Sequence, residues 1–145
     1  MKKRGGALIF VVLLFSVILI SAISILSISY REYLTTTAFK RTKVLRYIVE
    51  SEAESAYFKL MKEIIEGSAP DFSKPEYLND SFLQGYNYSY SKGKNQIEVV
   101  FLSDTSYQLI KIKATINNYL TTKTCILSID TQNNYMRHSK EFLQY

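Results

Sequence analysis

The sequence is poor in the residues from which disulfides, metal sites and catalytic triads are built. It has one cysteine, one histidine and no tryptophan among 145 residues. Cys125 has no second cysteine with which to form a disulfide, so we expect it to be a small buried residue in a strand. His138 has no cysteine or second histidine near it, which leaves little material for a zinc site or a Ser-His-Asp triad. We therefore expect no catalytic residue, no metal and no cofactor, and a protein that is not an enzyme.

Charge is absent from one long segment. No charged residue occurs in the 25 residues from Gly5 to Ser29. At a helical rise of roughly 1.5 Å per residue, this segment exceeds the roughly 30 Å hydrocarbon core of a bilayer. Its serines are tolerated in a membrane helix because their hydroxyls bond to carbonyls of the preceding turn. The segment predicts a membrane-spanning helix.

The positive net charge comes mostly from the N-terminus. Lys2, Lys3 and Arg4 supply three of the net +5, and without them 15 basic residues face 13 acidic ones, a net +2. Basic residues directly before a span stay on the cytoplasmic side, which predicts an extracytoplasmic chain after Tyr30 and a single-pass protein of the cell membrane. With most of the basicity explained by topology, a nucleic acid is expected as a partner at most indirectly.

Glycine and proline are also scarce, with five and two residues. After Gly6 neither type occurs again before Gly67, so the helix should continue beyond the span and end at Gly67. Apolar residues at helical spacing predict one apolar stripe along this stalk: Leu34, Ala38, Leu45, Ile48, Ala53, Ala56, Leu60 and Ile64. Residues 67–85, which contain both prolines, predict a loop with a short turn of helix.

Beyond Gly85 the apolar period changes from helical to alternating, which predicts strands. Tyr86, Tyr88 and Tyr90, a turn at 92–95, and then Ile97, Val99 and Phe101 predict a hairpin. Two further strands are predicted at 110–116 and 125–129. The tail, including Tyr135, Met136, Phe142, Leu143 and Tyr145, is compatible with either a strand or a turn of helix.

A four-stranded sheet with one apolar face needs a cover, and the stripe from Leu45 to Ile64 is the long partner available. The predicted fold class is therefore α+β, with a long N-terminal helix, a membrane span continuing into an amphipathic stalk, packed on a small antiparallel sheet. The predicted division is a leader at 1–5, a transmembrane helix at 6–29, a stalk helix at 30–66, and an extracytoplasmic loop and sheet at 67–145.

The chain starts with the residues Lys2-Lys3-Arg4-Gly5-Gly6-Ala7-Leu8-Ile9-Phe10-Val11-Val12-Leu13-Leu14. This start resembles that of type IV prepilin-like proteins. The resemblance implies cleavage and N-methylation by a prepilin peptidase. The cut would follow Gly5, leaving Gly6 as the mature N-terminus, or alternatively follow Gly6. It also implies partners in the membrane: other pilin-like subunits and an inner-membrane assembly platform. The residues implied in filament packing are Ala7, Leu8, Ile9, Phe10 and Val11.

The chain departs from the pattern of this family at one position near the start of the mature protein, and the departure favours one type of subunit. Most members carry a glutamate as the fifth mature residue, whereas this position is Phe10 here, or Val11 for the alternative cut. An unpaired carboxylate is costly in lipid, so a subunit without a neighbour for it does better with an apolar residue. Tip-type minor subunits, such as those similar to PilX or to the general-secretion K subunit, also lack this glutamate. Residues 47–54 resemble the stalk of PilX-like proteins, and the small β-rich end resembles the Gram-positive competence minor pseudopilin.

Two clusters admit alternatives. Glu50, Glu52 and Glu54, spaced by two on a helix, are expected to form a solvated face; the alternative is contact with the Lys40, Arg41, Lys43 or Arg46 side chains of a neighbouring subunit. The tyrosines at 86, 88 and 90 are expected to form one face of a strand; the alternative is a stacking platform for single-stranded DNA, which would suit competence.

The leading functional expectation is a minor structural or assembly subunit of a type IV pilus, a competence fibre for DNA uptake or a protein-secretion pseudopilus, placed at a filament tip or initiation complex. It would reach a cell-surface filament from the membrane. The rival is a single-pass, signal-anchored protein whose outer domain binds a ligand or partner. A third alternative is a secreted protein with a signal peptide cut near Ala22. The length of the apolar run argues against this alternative, because the run continues to Ile28.

Overall fold

The computed structural model describes residues 3–119 and 121–144. The helices are α1 (Lys3–Ile65) and α2 (Asp80–Leu83), followed by a 3-10 turn at Gln84–Tyr86. The strands are β1 (Tyr88–Lys92), β2 (Asn95–Asp104), β3 (Leu109–Asn118), β4 (Thr121–Asp130) and β5 (Met136–Gln144). The chain divides into two compact units, Met1–Thr42 and Lys43–Tyr145. Met1 and Lys2 of the predicted leader, and Tyr145 of the tail, lie outside the described residues.

The first unit is helical throughout its described part. Three of its serines, at 16, 21 and 24, donate to the carbonyl oxygens four residues earlier at 2.8–2.9 Å, as expected for serines in an apolar helix. The segment is long and apolar enough to cross a membrane. That finding rests on length and composition, and it agrees with the predicted span.

The second unit is a helix packed on a sheet, which confirms the α+β prediction. The five strands are ordered β1-β2-β3-β4-β5 and every neighbouring pair is antiparallel. Alternation along β2, β3 and β4 turns an apolar face toward α1, and the part of the predicted stripe from Leu45 to Ile64 covers it. Leu34 and Ala38, the first two residues of that stripe, belong to the first unit and are exposed. The fully or nearly fully buried core residues from these elements are Leu45, Val49, Ala53, Ala56, Leu60, Ile97, Val99, Phe101, Ile110, Ile112, Ala114, Ile116, Cys125, Leu127 and Ile129.

The tail forms β5, so the strand alternative is the correct one for residues 136–144. It pairs with β4 and carries a bulge opposite Ser128 and Ile129. The bulge changes which side chains face α1: Arg137, Lys140 and Phe142 contact helix residues, whereas His138 faces the other side of the sheet. Cys125 lies in β4, fully buried on the face toward α1, as predicted.

Helix α1 ends just before Gly67, as predicted from the sequence. Gly67 has φ +71°, its backbone N–H donates to Ile64, and the N–H of Ser68 donates to Glu63 at 2.9 Å. These two bonds form a Schellman motif, which satisfies carbonyls at the helix end that have no partner within the helix. A left-handed conformation at this position favours glycine.

Gly67→Ala is expected to lower the free energy of unfolding by about 1 kcal/mol. The added Cβ meets no atom within 4 Å, so the cost is that of the backbone conformation alone. Gly85→Ala is the matched control, because that position is equally open and lies outside the positive φ region. Denaturant midpoints of the full chain in detergent micelles measure both. Equal losses in the two variants would contradict the assignment.

The loop between α1 and β1 closes an edge of the sheet that β1 leaves open. Strand β1 pairs with β2 only as far as Val99. Beyond that point, the backbone N–H of Phe101 donates to Asn87 Oδ1 at 2.7 Å, and that of Ser103 donates to Asp80 Oδ1 at 2.8 Å. These side chains accept bonds that a longer β1 would otherwise accept, which leaves fewer free backbone donors on the edge.

Candidate functional site

The residues implied in processing and packing lie at the start of α1. Gly5 is helical, and an added Cβ at Gly6 would meet no atom within 4 Å. The side chains that follow are open: Leu8, Ile9, Phe10 and Val11 are 60–68% exposed. The structure therefore presents Leu8, Ile9, Phe10 and Val11 as accessible surface. Cleavage by a peptidase beside Gly5 or Gly6 stays a prediction.

The apolar surface extends around the whole helix. Every large apolar side chain from Leu8 to Ile28 is 48–72% exposed, and no carboxylate interrupts the run. A helix that is apolar on all faces needs lipid or other helices around it. Because residues 5–29 include no charged side chain, this segment can enter such surroundings without a counter-charge.

Of the glutamates Glu50, Glu52 and Glu54, the first and the last bond to strand β5. Lys140 Nζ lies 2.7 Å from Glu50 Oε1 and 2.8 Å from Glu54 Oε1, and Arg137 lies 3.3 Å from Glu54 Oε1. The hydrogen bond from Lys140 is the largest cause that lowers the pKa of Glu54. The hydrogen bond from Lys140 to Glu50 is the largest cause that raises the pKa of Lys140, and the bond to Glu54 is the next. Strand β5 is thus attached to α1 by charge-assisted bonds.

The third glutamate bonds to the opposite edge of the sheet. Glu52 accepts from the hydroxyl of Tyr90 at 2.6 Å and from that of Tyr88 at 3.4 Å. The pKa of each tyrosine rises to about 12, for Tyr88 mainly through burial and for Tyr90 mainly through the hydrogen bond to Glu52. The expectation of a solvated glutamate face was wrong. Side chains two residues apart point to different sides of a helix, so here they reach both edge strands of the sheet that the helix covers.

Three aromatic contacts add to this arrangement, which we call the carboxylate clamp (Glu50, Glu52, Glu54, Tyr88, Tyr90, Arg137, Lys140). The Arg46 guanidinium lies 4.0 Å from the ring centre of Phe142, and that of Arg137 lies 4.9 Å from Tyr57. The rings of Tyr88 and Tyr90 stack with centres 6.5 Å apart. Cations over aromatic faces and carboxylates beside hydroxyls fix the helix on the sheet.

The strand interpretation of the tyrosines is confirmed for two of the three. Tyr88 and Tyr90 share the face of β1 that meets Glu52, but Tyr86 belongs to the 3-10 turn before the strand. Its ring lies 5.6 Å from that of Phe101 and 6.3 Å from that of Phe72. Tyr86 and Tyr88 are half-buried and Tyr90 alone of the three is exposed, so the tyrosines do not form the open row that a DNA-stacking platform would need.

The free energy of unfolding is expected to fall as the pH rises from about 10 to about 12. The pKa of both Tyr88 and Tyr90 is about 12 in the fold. It lies near 10 in an unfolded chain. A raised pKa in the folded state contributes stability that is complete below pH 10 and is lost as the pH passes through 12. Far-UV circular dichroism with urea, between pH 9 and 11.5, follows the loss.

The double variant Tyr88→Phe, Tyr90→Phe is expected to lose roughly half as much stability as the native chain over this range. Tyr107→Phe with Tyr119→Phe is the control, because these side chains are 75% and 85% exposed. A control that flattens the pH profile as much as the first pair would contradict the assignment.

No protein-family model matches the chain, and no significant match to it was found among curated proteins or solved structures.

Proposed function

We propose that this chain is a minor pilin-like subunit, held in the cell membrane by the first part of α1 and acting in the assembly of a filament. The observation that carries the proposal is the continuity of α1. One helix includes both the uncharged apolar segment and the amphipathic stripe that packs on the antiparallel sheet. The resemblance of residues 2–14 to a prepilin leader and span supports the same function.

The absence of an acidic residue near the helix start supports a place at a tip or initiation complex. A glutamate in lipid needs a partner charge from a neighbouring subunit. Phe10 and Val11 need none, so this chain can be inserted with no earlier subunit to neutralise it. The filament is a pilus, a competence fibre or a secretion pseudopilus, and the subunit has no turnover of its own.

The orientation that we propose places the N-terminus in the cytoplasm and the second unit outside the cell membrane. The basic cluster of residues 2–4 directly before the apolar run supports it. The partners are the prepilin peptidase, the membrane assembly platform and other pilin-like subunits, which surround the apolar helix once it leaves the lipid.

The mature N-terminus tests the proposal. We expect mass spectrometry of the protein from native membranes to find an N-methylated chain starting at Gly6 or Ala7, and the full-length chain in cells without the prepilin peptidase. A start at Met1 in both strains would overturn the proposal and favour the rival, an uncleaved anchor for a binding domain. A start beyond Ala22 would overturn it in favour of a secreted protein.

Two matched variants identify the cut. If cleavage follows Gly5, then Gly5→Val leaves the chain uncut and Gly6→Val does not. If cleavage follows Gly6, the two results are exchanged. Processing that is unaffected by either variant would contradict a prepilin-type cut.

A further inference from the structure

A cleft of about 340 Å³ lies between the turn that joins β1 to β2 and the turn that joins β3 to β4. We call it the turn cleft. Its lining comes from both turns and from the strand ends beside them, and the side chains that matter below are Ser91, Lys94, Asn95, Gln96, Asn117 and Tyr119. These residues all belong to the second unit, and none of them belongs to the carboxylate clamp.

The charge of the turn cleft is positive. Among the described residues that line it, none is acidic, and Lys94 is the cation. Lys94 and the neighbouring Lys92 are exposed, and neither forms an ion pair with any residue in the described part of the chain. Glu98 follows two residues after Gln96 in β2 but does not line the cleft. An anion entering the turn cleft therefore meets a cation that no carboxylate neutralises.

The hydrogen bonds inside the turn cleft occupy amide oxygens and leave amide N–H groups available. Asn95 Oδ1 accepts from Asn118 Nδ2 at 2.9 Å, and Asn117 Oδ1 accepts from Thr122 Oγ1 at 2.8 Å. The Nδ2 groups of Asn95 and Asn117 donate to no residue that the structure describes. Because each side-chain amide carries two N–H donors, a bond that fixes the oxygen also fixes the side on which the donors lie.

The sheet register brings a further amide beside these donors. Gln96 of β2 is directly opposite Asn117 of β3. Both side chains lie on the outer face of the sheet, which is turned away from α1, because their neighbours Ile97 and Ile116 are buried on the inner face. The side chain of Gln96 makes no hydrogen bond within the described residues. The hydroxyls of Ser91 and Tyr119 complete a lining in which donors exceed charged acceptors.

We propose that the turn cleft binds a phosphate group, carried by a phospholipid headgroup or by a soluble phosphate ester. Phosphate is negatively charged and has several oxygens that accept hydrogen bonds, which matches a lysine and convergent amide donors. A nucleic acid fits less well, because its affinity comes from many neutralised phosphates and only Lys92 and Lys94 are at hand. The site does not depend on whether the chain is processed as a pilin, so it stands or falls separately from the proposed function.

Calorimetric titration of the full chain in maltoside micelles, at constant ionic strength, tests the site. The probes are glycerophosphoglycerol, which is the headgroup of phosphatidylglycerol, and inorganic phosphate. We expect saturable binding of at least one probe with a Kd on the order of millimolar, as for a small ligand with few contacts. Tighter binding of glycerophosphoglycerol assigns a lipid headgroup, and equal or tighter binding of inorganic phosphate assigns a soluble phosphate. Glycerol, which lacks the phosphate, is expected not to bind.

Variants locate the binding. Asn117→Asp keeps the oxygen that accepts from Thr122 but replaces the donor group by a charged oxygen, so binding should be lost. Lys94→Gln, at an exposed turn position where the fold is not at risk, should weaken binding about tenfold. Asn133→Asp and Lys74→Gln are the matched controls, because they make the same charge changes at exposed positions outside the turn cleft. Both controls should bind like the native chain.

Four results would overturn the proposal. They are equal losses in the controls, native affinity in Lys94→Gln, binding of glycerol as tight as that of the phosphate probes, and no saturable binding up to roughly 100 mM probe, far above the expected Kd. A single-stranded oligonucleotide that binds the native chain more tightly than either probe would overturn it in favour of a nucleic-acid surface.

Discussion

Leu60→Ala is expected to lower the free energy of unfolding of the full chain by about 2–5 kcal/mol. Leu60 is fully buried in the stripe of α1 that packs on the sheet. Truncating it removes apolar burial and leaves a cavity that a helix fixed at both sheet edges cannot easily close. Thermal or urea unfolding in detergent micelles, followed by near-UV circular dichroism of the 12 tyrosines, measures the change.

Ile65→Ala is the control for this prediction. Ile65 is the last residue of the same helix and is 79% exposed, so its truncation should change the free energy by less than about 0.5 kcal/mol. A loss below about 1 kcal/mol in Leu60→Ala would contradict the packing of the stripe on the sheet.

The second large effect is expected for Lys140→Glu, which should destabilise the domain by about 2 kcal/mol. The substitution removes two short ion pairs and places a third carboxylate beside Glu50 and Glu54. Exchanging the charges in the double variant Lys140→Glu, Glu50→Lys should restore part of the loss, since Arg137 remains available to Glu54. Lys113→Glu, an exposed position on the outer face, should stay within about 0.5 kcal/mol of the native chain.

The pH dependence gives an independent check of the clamp. The pKa of Glu54 lies below its ordinary value of 4.5, so its bond to Lys140 contributes stability above that value and loses it as the pH falls through the lowered pKa. The difference in urea midpoint between the native chain and Lys140→Glu should therefore shrink below about pH 4. A difference that persists unchanged at pH 3 would contradict an electrostatic origin.

The helix and the first four strands could be predicted from the sequence because their apolar periods are regular. Val99 and Phe101 alternate in β2, and Gly67 ends α1 where the helical period stops. Such patterns depend on neighbours in the chain, which a single sequence shows directly.

Strand β5 could not be distinguished because two of its three inward positions, Arg137 and Lys140, are charged. Arg137 and Lys140 face the helix, and a bulge interrupts the alternation between them. Their partners lie 83–90 residues earlier in the chain, so no local spacing indicates the ion pairs. For the same reason the sequence predicts a solvated face for Glu50, Glu52 and Glu54. The apolar periodicity of a sequence therefore does not predict ion pairs between residues that lie far apart in the chain.

The buried position of Cys125 has a chemical consequence for the reactivity of its thiol. Burial raises the pKa of its thiol to about 11. At pH 7 about one molecule in ten thousand therefore carries the reactive thiolate, and that sulfur lies beneath α1, away from any oxidant. The folded chain is therefore expected not to form covalent dimers through Cys125 under oxidising conditions. A thiol reagent that modifies Cys125 would thus report unfolding of the helix from the sheet.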